Sequence, residues 1–98
     1  MKGKSALMEQ LNPILNMPVD VISSCGADGR LRPYRLRLEE NHTMQIFSVL
    51  QILSDKEIRP AGQPMISYIC RIGSEERSHL AELRYHISLH RWCLYRVL

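Results

Sequence analysis

A chain of 98 residues is long enough for one domain with one hydrophobic core. Hydrophobic residues make up 45% and charged residues 23%, which excludes a disordered polymer, and no apolar run approaches the roughly 18 residues of a membrane helix. The net charge of +3 comes mainly from arginine and is compatible with ordinary surface charge or with an anionic partner.

The first residues predict a short helix. Ser5 is a suitable N-cap for residues 6–11, and Pro13 ends the segment. Two helical turns need tertiary contacts to persist. We therefore predict an N-terminal helical arm over residues 1–17, followed by a single small β-barrel domain over residues 18–98.

Two strands joined by a tight turn come next. Residues 19–24 are rich in β-branched side chains, and Asp28–Gly29 is a hairpin turn signal. The return strand begins near Arg30, and Pro33 indicates a sheet edge, a bulge or a first strand residue. Its alternation predicts two different faces. The apolar face consists of Tyr34, Leu36 and Leu38, and the wet face consists of Arg35, Arg37 and Glu39.

The middle of the chain is less regular. Residues 40–42 predict a turn, because asparagine and histidine tolerate positive φ. Residues 43–53 fit a strand covered on both faces or a buried helix, and their β-branched and aromatic content favours the strand. Residues 55–64 contain Pro60, Gly62 and Pro64 among charged residues and predict a loop. Residues 65–72 then alternate again.

The last third has the clearest pattern. From residue 83 to residue 89 the odd positions are apolar and the even positions are polar, which predicts a strand with one dry face. The phase of the alternation changes near His90, and such a change indicates a turn or bulge. We predict two strands here, over about residues 79–88 and 92–97.

Together these elements predict an all-β fold. Five or six short strands separated by turns, without a helix long enough for a parallel crossover, favour an antiparallel meander. A sheet of this size either covers one face or curls into a strongly bent barrel, which removes its edges.

Four segments resemble a known group of proteins. They are residues 29–37 (GRLRPYRLR), 70–71 (CR), 82–85 (ELRY) and 91–95 (RWCLY). The pattern is similar to that of small uncharacterised bacterial proteins with a compact β-barrel fold. The resemblance implies a barrel and a bacterial cytoplasmic setting, and it implies no catalytic residue.

The three cysteines give little indication of special chemistry. Their number is odd and their spacing is unpaired, so we predict no disulfide framework, and the polar residues after the start of the chain interrupt any signal-peptide core. We therefore predict a cytoplasmic protein. No cysteine or serine lies in a nucleophile motif, so we predict no catalytic residue and no cofactor.

His86, His90 and Cys93 have a spacing that would bind zinc on a helix. On a strand, residues four apart are separated by about 13 Å, too far for shared coordination. A turn at His90 would shorten that separation, so a metal site stays the minor alternative.

The remaining candidate is an arginine surface. Arg35 and Arg37 share the wet face of one predicted strand, and Arg84 and His86 share that of another. If both strands lie on the same side of the barrel, they form a positive stripe that could track a phosphate backbone. Pairing of these arginines with Glu39 and Glu82 across strands is the alternative interpretation.

Two hypotheses about function follow. The first is a non-enzymatic module that binds another protein, or a second copy of itself, through its barrel surface or an unpaired strand. The second is a small nucleic-acid-binding protein that uses the arginine stripe. Neither hypothesis requires a membrane.

Overall fold

The computed structural model describes residues 14–98, which form six antiparallel strands around one core. Their bounds are Ile14–Cys25 (β1), Leu31–Glu40 (β2), Thr43–Ile58 (β3), Met65–Gly73 (β4), Ser78–His86 (β5) and Arg91–Val97 (β6). Consecutive strands pair, and β1 pairs with β6, which closes the barrel. The predicted all-β antiparallel barrel is confirmed, whereas the predicted helix over residues 6–11 lies outside the described residues.

The first strand begins earlier than its sequence pattern predicts. β1 starts at Ile14, because its first half pairs with β6, where Met17 lies opposite Leu94. The predicted domain boundary at residue 18 therefore falls inside a strand. Hydrogen bonding to the last strand extends β1 toward the N-terminus, ahead of the β-branched run at residues 19–24.

Both predicted turns in the first half of the chain are present. Gly29 adopts a φ of 81°, and the Asp28 carboxylate accepts a hydrogen bond from the Arg30 backbone N–H at 3.0 Å. Asn41 and His42 have φ values of 53° and 63°. Positive φ at both central residues is what a two-residue hairpin of the favoured twist requires.

Residues 43–53 form a strand, as predicted, but the strand is longer. β3 continues to Ile58, so the predicted loop over residues 55–64 is wrong in its first part. Its register against β4 shifts twice, with Leu50 as the extra residue of the first shift and Leu53 as that of the second. Each shift inserts an extra residue and reverses the alternation. These bulges contribute to the mixed parity of this segment, together with the outward-facing Met44 and Ile46.

Two strands bend the barrel by changing partners along their length. β1 pairs with β6 up to Val19 and with β2 from Asp20 onward. β3 pairs with β2 as far as Ser48 and with β4 from the same residue. The second half of β1, β2 and the first half of β3 therefore form one wall of the barrel.

The C-terminal region consists of two strands joined by a turn, as predicted. β5 ends at His86 and β6 begins at Arg91, and His90 between them has a φ of 55°. Leu83 is fully buried, in agreement with the predicted dry face. Tyr85 and Ile87 are half-buried, and Leu89 departs from the predicted dry face, since it lies in the turn and is 56% exposed.

The core lies inside the barrel and is contributed by strands on all sides. Its buried hydrophobic members are Leu36, Leu38, Tyr68, Cys70, Ile72, Ala81, Leu83, Leu94 and Val97. Tyr85 and Trp92 pack against this cluster with their ring centroids 5.0 Å apart. Tilted aromatic pairs at this separation add to the stabilisation that burial provides.

Candidate interaction surface

Alternation along β2 separates the core from solvent. Leu36 and Leu38 point inward and are 1% and 3% exposed, whereas Arg35, Arg37 and Glu39 are exposed. This is the period-two arrangement of a strand with one dry face. The alternation predicted for these five residues is confirmed.

The register adds residues of β1 and β3 to this exposed row. Arg37 lies between Asp20 of β1 and Ile46 of β3. Arg35 lies between Ile22 of β1 and Ser48 of β3. Met44 of β3 lies opposite Glu39. We call this outward-facing set the three-strand face, and it consists of Asp20, Ile22, Tyr34, Arg35, Arg37, Glu39, Met44, Ile46 and Ser48.

Large apolar side chains are exposed together on the three-strand face. Ile22 is 59% exposed, Ile46 is 62% exposed and Met44 is 49% exposed. Ile22 and Ile46 also line a shallow depression of 380 Å³ around Arg35 and Arg37. Ile22 lies on one side of β2, and Met44 and Ile46 lie on the other, with the two arginines between them. Single exposed apolar residues are common, but several on one wall among polar residues are typical of a contact surface.

Tyr34 belongs to this face and not to the core, where its parity had placed it. Its exposure is 69%. The β1–β2 register shifts between Ile22 and Ser23, which lie opposite Arg35 and Pro33, so Tyr34 is the extra residue. The bulge turns both Tyr34 and Arg35 outward. Pro33, beside the bulge, is buried.

The charges of the three-strand face are only partly compensated. Arg37 donates to the Asp20 carboxylate at 2.8 Å. Arg35 forms no ion pair with any residue from 14 to 98. The Glu39 side chain is 64% exposed, and within residues 14–98 its one ion-pair partner is the His42 imidazole, 4.0 Å away. β2 thus presents an uncompensated cation near its middle and an exposed carboxylate near its end.

A cleft of 620 Å³ adjoins this face where β1 changes from β6 to β2. It is lined by Pro18, Val19, Asp20, Val21, Arg37, Leu38, Glu39, Met44, His90, Arg91 and Trp92. The face is therefore concave along one margin, which gives a docking partner more contact area than a flat sheet.

The opposite wall, formed by β4, β5 and β6, holds a polar cluster around Glu82. Its carboxylate is 4% exposed, although its parity predicted a wet face. Ser67 donates to it at 2.7 Å, Arg84 at 2.7 Å and Arg96 at 2.8 Å. A bulge at Tyr95 in β6 separates the Leu83–Leu94 pair from the Glu82–Arg96 pair and leaves Arg96 opposite Glu82.

The cluster keeps Glu82 ionised. Burial by itself raises the pKa of Glu82, but the hydrogen bonds from Arg84, Ser67 and Arg96 outweigh it and lower the pKa below its usual value. Arg84 also lies over the Tyr95 ring, 3.4 Å from its centroid. Arg84 is thus neutralised and covered, so it offers little charge to an outside anion.

The predicted arginine stripe is not assembled. Arg35 and Arg37 lie on β2, whereas Arg84 and His86 lie on β5, and two strands separate β2 from β5 in either direction around the barrel. The two pairs consequently face opposite sides. The alternative prediction, that the arginines pair with acidic residues, is confirmed for Glu82, which pairs with Arg84 and with Arg96 on the neighbouring strand.

The three residues with zinc-like spacing do not share a site, and two of them have separate hydrogen-bond partners. His90 shares a hydrogen bond with the Tyr85 hydroxyl at 2.9 Å, and the Cys93 thiol donates to Asn16 at 3.4 Å. His86 Nδ1 is buried and has no hydrogen-bond partner among the residues that the structure describes. Within residues 14–98, no group of three histidine, cysteine or acidic side chains is arranged to hold a metal ion.

The buried thiols are poorly suited to nucleophilic chemistry. Burial raises the pKa of Cys70 to about 12. Burial also raises the pKa of Cys93, and this exceeds the opposing effect of the Arg84 charge. A thiol acts as a nucleophile in its ionised form, which these environments disfavour. Cys25 is exposed.

Sequence reasoning missed the apolar members of the three-strand face. Ile22, Met44 and Ile46 were assigned to strands but not to a surface. The signal that could have identified Ile46 is the mixed parity of residues 43–53, because a run that is apolar on both sides must place one side outside a small barrel.

Comparison with protein-family models, with curated proteins and with solved structures finds no match for this chain. The class that the fold defines is a compact six-stranded antiparallel barrel. Among residues 14–98, no helix has the length and apolarity needed to cross a membrane.

Proposed function

We propose that this protein is a non-enzymatic interaction module that binds a protein partner through the three-strand face. The observation that carries the proposal is the grouping of Ile22, Met44 and Ile46, each about half exposed or more, on one wall. Burying such side chains contributes about 25 cal/mol per Å² of apolar surface removed from water. A partner that covers them would recover that free energy.

The polar residues of the face fit the same function. Tyrosine, arginine and methionine are enriched in protein interfaces, and the face contains Tyr34, Arg35 and Met44. Tyr34 is held by a bulge within a strand and exposes most of its ring. Such a side chain supplies contact area at a low cost in conformational entropy.

The absence of enzymatic activity belongs to the proposal. Its support is the direction of the pKa shifts of Cys70 and Cys93, both of which disfavour the thiolate. A bacterial, cytoplasmic setting is also proposed. It is supported by the sequence resemblance and by the free state of Cys25, Cys70 and Cys93.

Site-specific photo-crosslinking in cells of the source organism tests the docking face. A photoreactive residue is placed at position 46 on the face, or at position 53 as the matched control. Leu53 is also exposed on β3, at 49%, but lies beyond the face. We expect protein adducts from position 46 and few from position 53. No adducts, or equal adducts from both positions, would refute the proposal.

The nucleic-acid alternative has less support, because Arg35 and Arg37 face away from Arg84 and His86. A gel shift with random DNA and RNA at two salt concentrations tests it. Binding through phosphate contacts would weaken steeply with salt and would be reduced by Arg35→Ala with Arg37→Ala. We expect no shift at low salt, and a shift with these properties would favour the alternative.

A further inference from the structure

We infer that the partner of the three-strand face is a second copy of this chain, related to the first by a two-fold axis that crosses the face at Arg37. This inference rests on the proposed function and names the occupant of the same surface. It follows from the order of charges along β2 and from the register of the flanking strands.

The charge order of β2 is self-complementary. Arg35, Arg37 and Glu39 point outward at successive alternate positions, and Arg37 is already neutralised by Asp20. The uncompensated charges are therefore the Arg35 cation, two residues before Arg37, and the Glu39 anion, two residues after it. A two-fold axis in the interface plane, perpendicular to β2 at Arg37, reverses the strand direction between copies. Arg35 of each copy then faces Glu39 of the other.

The same axis places Ile46 at the centre of the contact. Ile46 lies directly beside Arg37 in the β2–β3 register, so it meets its counterpart near the axis. The Arg37–Asp20 ion pair lies at the same level, so the axis sets this pair against its counterpart, and each pair is neutral as a unit. Two Arg35–Glu39 contacts flank this centre. The centre thus combines one apolar contact with internally neutralised charges, and opposite charges meet at the rim, where protein interfaces are usually polar.

Both charged residues are free to form these contacts. Arg35 has no ion pair among residues 14–98, and Glu39 is 64% exposed beside an imidazole 4.0 Å away. Arg35 and Glu39 are separated by about 13 Å along the strand, at about 3.3 Å per residue. The contact area is correspondingly small, so we expect a dissociation constant in the range of about 1–100 µM, typical of weak interfaces.

Charge reversal tests the geometry. In sedimentation equilibrium at micromolar to millimolar concentrations, we expect the wild-type chain to dimerise. Arg35→Glu alone or Glu39→Arg alone places like charges opposite each other twice per dimer, and each should weaken dimerisation at least tenfold. The double variant Arg35→Glu with Glu39→Arg exchanges the two charges and should restore dimerisation, as should an equimolar mixture of the two single variants.

Two further variants separate the face from general effects. Ile46→Asp should abolish dimerisation, whereas Leu53→Asp, on the same strand outside the face, should leave it unchanged. Circular dichroism should show the same fold for all variants, because each substituted side chain is exposed.

The outcomes distinguish this inference from the proposed function. A wild-type chain that stays monomeric at millimolar concentration, or a dimer unaffected by Arg35→Glu, overturns the second-copy inference. If crosslinks from position 46 then capture a different protein, the interaction module stands without self-association. If position 46 captures nothing, both proposals fail.

Discussion

Replacing Glu82 with glutamine tests whether the buried cluster on the β4–β5–β6 wall stabilises the barrel. The substitution keeps the shape of the side chain but removes the charge that Arg84 and Arg96 share, and it leaves two guanidinium groups beside an uncharged amide. Removing one partner of a buried ion pair typically costs about 3–5 kcal/mol. Because the Arg96 side chain is 36% exposed, solvent compensates part of this loss.

We therefore expect Glu82→Gln to lower the free energy of unfolding by about 3 kcal/mol, near the low end of the range for a buried pair. For a domain of this size such a loss lowers Tm by about 12–24 °C. Urea unfolding followed by circular dichroism measures the free energy. Glu76→Gln is the matched control, because Glu76 is exposed in the turn between β4 and β5 and should change stability by less than about 0.5 kcal/mol.

The pH dependence gives an independent check. The hydrogen bonds of the cluster lower the pKa of Glu82 in the folded state. A lowered pKa contributes stability that is present above the unfolded-state value and is lost as pH falls through the folded-state value. The difference between wild type and Glu82→Gln should accordingly be full at pH 7 and shrink below about pH 4.3. A difference of less than about 0.5 kcal/mol at pH 7 would refute the stabilising role of the cluster.

Three further predictions concern the core. Leu94→Ala should lower the free energy of unfolding, measured in urea, by about 2–5 kcal/mol, whereas Ser88→Ala should lower it by less than about 0.5 kcal/mol. A larger loss for Ser88→Ala would contradict the assignment of buried and exposed faces in the last strands. Burial raises the pKa of Tyr68 to about 12, so an absorbance titration should show one phenol that ionises near that pH and is missing in Tyr68→Phe. The stability that the buried, protonated phenol contributes should be present below about pH 10 and be lost as pH rises further. A thiol reagent should modify exposed Cys25 in the native protein but reach Cys70 only after unfolding, and equal rates would contradict the burial of Cys70.

Local pattern was sufficient for the strand framework. The alternation around Leu36 and Leu83 and the turn signals at Asp28–Gly29 and His90 depend on chain-local sterics, and they yielded an antiparallel barrel. Where bulges interrupt a strand, parity no longer identifies the inner face. Tyr34 was assigned to the core for this reason.

Long-range pairing accounts for the other differences. β1 begins at Ile14 because β6, almost eighty residues later in the chain, supplies its hydrogen bonds. Arg96 reaches the buried Glu82 carboxylate from the neighbouring strand, where the register places it opposite Glu82. The solvation of a charged residue depends on such neighbours, which period-two alternation does not specify.

The amino-acid sequence by itself determined that the chain forms short antiparallel strands with a dry interior, since side-chain alternation and turn residues act over a few positions. Only the tertiary structure decided which strands share a wall. It separated Arg35 and Arg37 from Arg84 and His86, and it gathered Ile22, Met44 and Ile46 beside the first pair. The physical reason is that closing a barrel fixes every strand relative to all the others, whereas the pattern of one strand carries information about its own two faces alone.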